Sequence, residues 1–240
     1  MEKKFTINQS RFTIFKKSLA EVAEQTKEFP RTHDLFVRDL PNPDYTYSNG
    51  AAPTCCVVKQ RLSFADLHYH KIHKIGDTVI PMVNELAIKG AMPIILALEL
   101  RITDKCRLLK SENIIKEIPQ TFMSLCKMIG SAFKVSFKTP KEKSGPVMNI
   151  TVIGALQYAR ENDEINPGNT IIKAGPPKCY LNLMKNLFQK GIRIHRAQLE
   201  PTQTALYLFV PYRAADQVIS IGRACHHEMT EIGFIQKREV

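Results

Sequence analysis

The sequence predicts an α+β/α-β protein of two domains. The first has a mixed sheet with packed helices, and the short second one has ferredoxin-like β-α-β-β-α-β order. Three observations carry this. The run 94–100 is apolar on both faces, as a central strand requires. Helical spacing of apolar residues alternates with strand-like runs between residues 54 and 167. The turn pair Pro167-Gly168 then opens a new order: strand 170–174, helix 178–190, strands 192–199 and 204–210, helix 213–232, strand 234–238. The expected division is 1–53, an N-terminal helix and irregular segment; 54–167, the first domain; and 168–240, the second.

In chain order, Phe12, Phe15, Leu19, Val22 and Ala23 recur at helical spacing over 10–29, with Ser10 as a cap. Residues 30–53 hold four prolines and the turn signal Asn49-Gly50, and read as a long irregular segment. Strands follow at 54–59 and 61–69, then a helix at 75–89 closed by Gly90. Pro93 leads into the apolar strand. Ser111 opens a helix over 112–130 with the stripe Ile114, Ile115, Phe122, Leu125 and Ile129. Strands 134–138 and 147–158 flank a charged loop, and Gly191 separates a helix from the strand that follows it.

The 240 residues suffice for a substantial core. No run of about 18 apolar residues exists, so no membrane partner is expected, and the address expected by default is cytoplasmic. Six cysteines without Cys-x-x-Cys spacing read as reduced, mostly buried thiols. The net charge of +11 favours an anionic partner: a nucleotide, a phosphorylated small molecule, RNA or an acidic protein. Nucleic acid rests on charge alone, because the sequence lacks the aromatic interleaving of single-strand readers. No Walker phosphate loop and no Gly-x-Ser-x-Gly elbow is present.

The most specific segment is Met82-Val83-Asn84-Glu85-Leu86-Ala87-Ile88-Lys89-Gly90-Ala91-Met92-Pro93. A helix here delivers the polar pair Asn84-Glu85 while burying its apolar neighbours, and Gly90 and Pro93 set a sharp turn into the strand. This resembles the "V-N-D-L-A-x-x-G-A-x-P" signature of the aminoimidazole ribonucleotide synthetase-related superfamily. That group includes thiamine monophosphate kinase, selenophosphate synthetase, formylglycinamidine ribonucleotide synthetase and the hydrogenase maturation dehydratase. The stretch 164–175, Glu-Ile-Asn-Pro-Gly-Asn-Thr-Ile-Ile-Lys-Ala-Gly, is similar to the superfamily's "K-P-G-D-x-I-I-x-x-G". Asn149–Gly154 is similar to its "I-T-V-T-x-x-G" strand. The resemblance spans residues 54–240 in element order.

The resemblance implies ATP and magnesium as cofactors, with phosphoryl transfer to a small molecule or its activation. It also implies a homodimer joined through the sheets of the first domains. Metals and cations must neutralise a triphosphate before a nucleophile can approach it. Carried over, Asp66 and Glu85 stand at the metal aspartate positions, and Asn84, His68, His70 and Lys138 line or flank the nucleotide. The chain also departs from the pattern. Ser48-Asn49-Gly50-Ala51-Ala52 has no acid where "G-D-D-A-A" falls, and Ser136-Phe137-Lys138-Thr139 carries a lysine near the acid of "G-G-D-T". The alternative is therefore a catalytically degenerate relative that acts as a binding, regulatory or scaffold subunit.

Other clusters divide between a function and a plainer role. On a strand, Asp66, His68 and His70 share one face, with His73 beyond them: a transition-metal set, an anion contact or a solvated strand end. Lys138, Lys141 and Lys143 read as a phosphate-contacting or a solvated loop. His226-His227 reads as a partly exposed structural pair in a helix. Residues 169–240 alone also resemble amino-acid-sensing regulatory domains.

Overall fold

The computed structural model describes residues 2–29, 55–63, 72–103, 106–139, 146–156 and 165–236. The chain divides into two compact units, residues 1–82 with 93–155, and residues 83–92 with 156–240.

The first unit contains α1 (Glu2–Thr26), β1 (Cys55–Ser63), most of α2 (His73–Ile88) and of β2 (Ala91–Arg101), α3 (Glu112–Ile129), β3 (Ala132–Lys138) and β4 (Val147–Leu156). Its four-stranded sheet has the order β1-β4-β2-β3. β1 runs antiparallel to β4 and β2 parallel to β3, so the sheet is mixed. The sequence suggests a break near Gln60, but β1 is one strand in continuous register from Cys55↔Ala155 to Ser63↔Val147. The expected strand residues 64–69 lie outside the described residues.

Helices α1 and α3 pack on each other and against β3. α3 turns Ile114, Ile115, Ile118, Phe122, Leu125 and Ile129 inward at helical spacing. Gly130 ends it at φ 66°, where a side chain would be strained, and its N–H donates to the Cys126 carbonyl at 2.8 Å. Phe122 lies on Phe133 with ring centroids 4.9 Å apart. Buried Thr26 joins α1 to the sheet: its hydroxyl donates to the Val22 carbonyl at 2.8 Å and accepts from the Phe133 N–H at 2.9 Å. Burial pushes the Cys126 thiol up to about 12, so this cysteine is packing material rather than a nucleophile.

The second unit contains β5 (Asn169–Ala174), α4 (Leu181–Gln189), β6 (Arg196–Leu199), β7 (Leu206–Pro211), α5 (Ala215–Ala224) and β8 (Met229–Phe234). The strands form an antiparallel sheet of order β6-β7-β5-β8. Leu183, Met184 and Leu187 of α4 and Val218 and Ile221 of α5 are buried with Ile172, Ala174, Leu206, Leu208 and Val210 of the sheet. The sequence suggests a helix to residue 232, but α5 stops at Ala224. His226 takes a left-handed φ of 64°, the His227 N–H returns to the Gly222 carbonyl at 3.0 Å, and β8 starts at Met229. Gly222 permits this closeness, since a Cβ there would lie 2.2 Å from the Met229 sulfur.

Candidate functional site

Register gathers the polar side chains of the first sheet on one face. Arg101 pairs with Lys138, Glu99 with Ser136 and Ala97 with Lys134 across β2 and β3. Arg61 pairs with Asn149 and Lys59 with Thr151 across β1 and β4. Side chains alternate along a strand, so these positions lie opposite the buried Leu96, Leu98 and Leu100. Asn149 bonds to Glu99, which places the two pairs of strands on the same face.

Glu99 is the hub. Its Oε1 accepts from Arg101 Nε at 2.8 Å and from Asn149 Nδ2 at 2.9 Å, and its Oε2 pairs with the Lys138 ammonium. Lys138 foremost, then Arg101, hold the Glu99 carboxyl down at about 2; burial opposes them, and Asn149 adds to them. Both carboxylate oxygens are thereby engaged, Oε1 by two donors and Oε2 by the Lys138 ammonium. Among the described residues, the paired positions of this face carry Lys59, Arg61, Arg101, Lys134 and Lys138 beside Glu99. Lys59 and Arg61 form no ion pair among the described residues. The arrangement fixes two cations and leaves further positive charge beside them, which suits a polyanion.

A groove of about 480 Å³ runs between the start of α2, at Ile72 and His73, and the α3 residues Glu117, Gln120, Thr121 and Ser124. It brings an acid rather than a cluster of cations. His73 Nε2 stands 4.0 Å from the Asp77 carboxylate, both largely exposed.

The second unit organises a different polar set. Asn84 is fully buried. Its Nδ2 donates to the Lys178 carbonyl at 2.7 Å, and its Oδ1 accepts from the Tyr180 N–H at 2.9 Å. The amide thus fixes the chain that enters α4. Tyr180 stacks on His227 with centroids 5.1 Å apart, and His227 Nδ1–H donates to the Gly175 carbonyl at 3.0 Å. Burial foremost holds His227 below its ordinary value; the Gly175 bond opposes this and His226 adds to it. The two histidines therefore differ: His226 is exposed and His227 is buried, in a turn rather than a helix. Glu85 is half-buried and pairs with Lys89 Nζ at 2.7 Å.

Of the residues the sequence singles out, Lys138 joins the Glu99 cluster, while Asn84 spends both halves of its amide on backbone. Asp66, His68 and His70 lie outside the described residues. Among the described residues, no three His, Cys, Asp or Glu side chains gather to hold a metal. Glu85 with its lysine does not make a magnesium cage by itself. Sequence reading missed Glu99, Arg101 and Asn149. They are 50 residues apart at the extremes, and only the pairing of strands brings them together.

No protein-family model matches the chain, and no curated protein matches it. Solved structures do. E. coli HypE, a hydrogenase maturation protein, aligns with a TM-score of 0.59 at 10% identity over 97% of this chain and 92% of that one. Thiamine-monophosphate kinase from Stenotrophomonas maltophilia K279a gives 0.58 at 12% identity over 90% and 93%. T. maritima PurL complexed with ATP gives 0.57 at 11% identity, over 77% of this chain and 41% of that one. At these identities the likeness shows a shared fold, the one that the sequence resemblance implies. No described helix is long and apolar enough to cross a membrane.

Proposed function

We propose that this chain binds ATP with magnesium on the basic face of the first sheet and works as a synthetase-like protein, passing a phosphoryl group to a small molecule or activating it. The observation that carries the reading is the Glu99-clamped pair Arg101 and Lys138, flanked by Arg61, Lys59 and Lys134. A triphosphate needs several cations already in place, because cations held by the fold cost no reorganisation when the anion arrives. The fold likeness to PurL complexed with ATP and to a thiamine-monophosphate kinase supports the same reading. Magnesium arrives on the phosphates, with Asp66 as a proposed protein carboxylate and His68 and His70 as proposed flanking groups, while Asn84 and Glu85 keep the partners described above. A homodimer joined through the first sheets and a cytoplasmic address belong to this proposal.

One observation favours a second reading, a subunit that binds nucleotide without turnover. The acid on this face, Glu99, is spent on cations, and Lys138 stands near an acid position of the superfamily. Titration calorimetry with ATP, with and without magnesium, on wild type and Arg101→Glu/Lys138→Glu tests the shared core. Binding should weaken at least about tenfold in the variant. Wild type that takes up no nucleotide at about millimolar concentration refutes both readings. Release of ADP in the presence of small-molecule acceptors separates the first reading from the second, and native mass spectrometry tests the dimer.

A further inference from the structure

We propose that the outer face of the second sheet binds single-stranded nucleic acid, with Tyr207 and Phe209 as a stacking platform. The register places two rows across this face. Arg196, Phe209 and Ile171 form one, and Gln198, Tyr207 and Lys173 the other. Helices α4 and α5 belong to the opposite face, where Leu206, Leu208 and Val210 are buried. Tyr207 and Phe209 keep part of their surface in solvent on a central strand, and Arg196 and Gln198 are exposed. The two rings are two residues apart on one strand, about 7 Å, the reach of neighbouring unstacked bases.

The charge agrees with the rings. Lys173 and Arg196 flank them on either neighbouring strand and form no ion pair among the described residues. Among the described residues the acid at this end of the sheet is Glu200, which accepts from the hydroxyls of Thr202 and Thr204 in the β6–β7 turn and whose charge also reaches Lys173 without forming an ion pair. A further ring, Tyr212, stands 71% exposed just past the end of β7. Aromatic faces between cations that no ion pair ties down among the described residues favour a chain of stacked bases and phosphates over an apolar peptide or an acidic one, which would use only half of the surface. The topology has the β-α-β-β-α-β order of the sheet platforms that read single-stranded RNA, with the aromatic pair on a central strand. This site is independent of the nucleotide reading above.

The experiment is fluorescence anisotropy with labelled oligouridine RNA, oligothymidine DNA and a duplex of equal length, at about 50 mM salt. The variants are Tyr207→Leu/Phe209→Leu, which keeps apolar bulk, Lys173→Glu/Arg196→Glu, and Arg101→Glu/Lys138→Glu on the other unit. Wild type should bind the single strands at micromolar concentration and the duplex at least about tenfold more weakly. The leucine variant should lose about tenfold or more. The Lys173/Arg196 variant should weaken binding and reduce the salt dependence by about two counterions. The Arg101/Lys138 variant should bind like wild type. A preference between RNA and DNA supports the proposal and identifies the polymer. No binding at about 100 μM, equal binding of duplex, or full affinity in the Lys173/Arg196 variant overturns it. That last variant changes only exposed or half-buried side chains, so it carries the test if the leucine variant fails to fold.

Discussion

Replacing Asn84 by alanine should destabilise the chain substantially without touching any charged group. The amide is fully buried and holds two backbone groups, the Lys178 carbonyl at 2.7 Å and the Tyr180 N–H at 2.9 Å. Alanine leaves the Tyr180 N–H buried with no acceptor, at a cost of about 1–3 kcal/mol. The Lys178 carbonyl is only part-buried, so water offsets much of its loss. The emptied volume adds about 1 kcal/mol. The sum of about 2–4 kcal/mol should lower Tm by about 6–12 °C. Asn84→Asp keeps the acceptor for Tyr180 but aims a carboxylate at the Lys178 carbonyl, and should do no better than alanine. Differential scanning calorimetry gives the shift, and hydrogen exchange at the Tyr180 amide shows where protection is lost. A melting point within about 1 °C of wild type, with the Tyr180 amide still protected, would refute the assignment of Asn84 to the entrance of α4.

Glu99 makes a pH prediction. Its folded value of about 2 lies below the ordinary 4.5, so its contribution to stability is full above 4.5 and is lost as pH falls towards 2. Glu99→Gln should flatten the fall of Tm over that window. An unchanged acid limb would count against the hub. Thr26→Val removes the acceptor of the Phe133 N–H and should cost about 1–3 kcal/mol in chemical denaturation, whereas Thr26→Ser should recover most of it.

Local chemistry made much of the fold legible. Gly90, at φ 79°, and Pro93 mark the passage from α2 to β2, and the stripe Ile114, Ile115, Phe122, Leu125 and Ile129 fixes the buried side of α3. Where a signal lacked its usual residue, reading failed. The chain leaves α5 through a left-handed histidine, His226, where no glycine advertises the stop. The Glu99 hub was illegible for another reason. Nothing in the sequence fixes the order β1-β4-β2-β3, and that order alone sets Asn149 beside Glu99. The same holds for the rings of β7. Tyr207 and Phe209 look isolated along the chain, and acquire Arg196 and Lys173 as neighbours only by pairing. Asn84 shows the reverse. Its place on the helix was readable, but its partners 94 and 96 residues away were not.

The space beside Gly222 has a consequence for how this chain can drift. The missing side chain at 222 and the thioether of Met229 fill one shared volume, with the sulfur 2.2 Å from where a methyl group would go. Growth at residue 222 therefore has to be answered at residue 229, where the flexible thioether must swing aside or be trimmed, and the backbone of β8 is not what stands in the way.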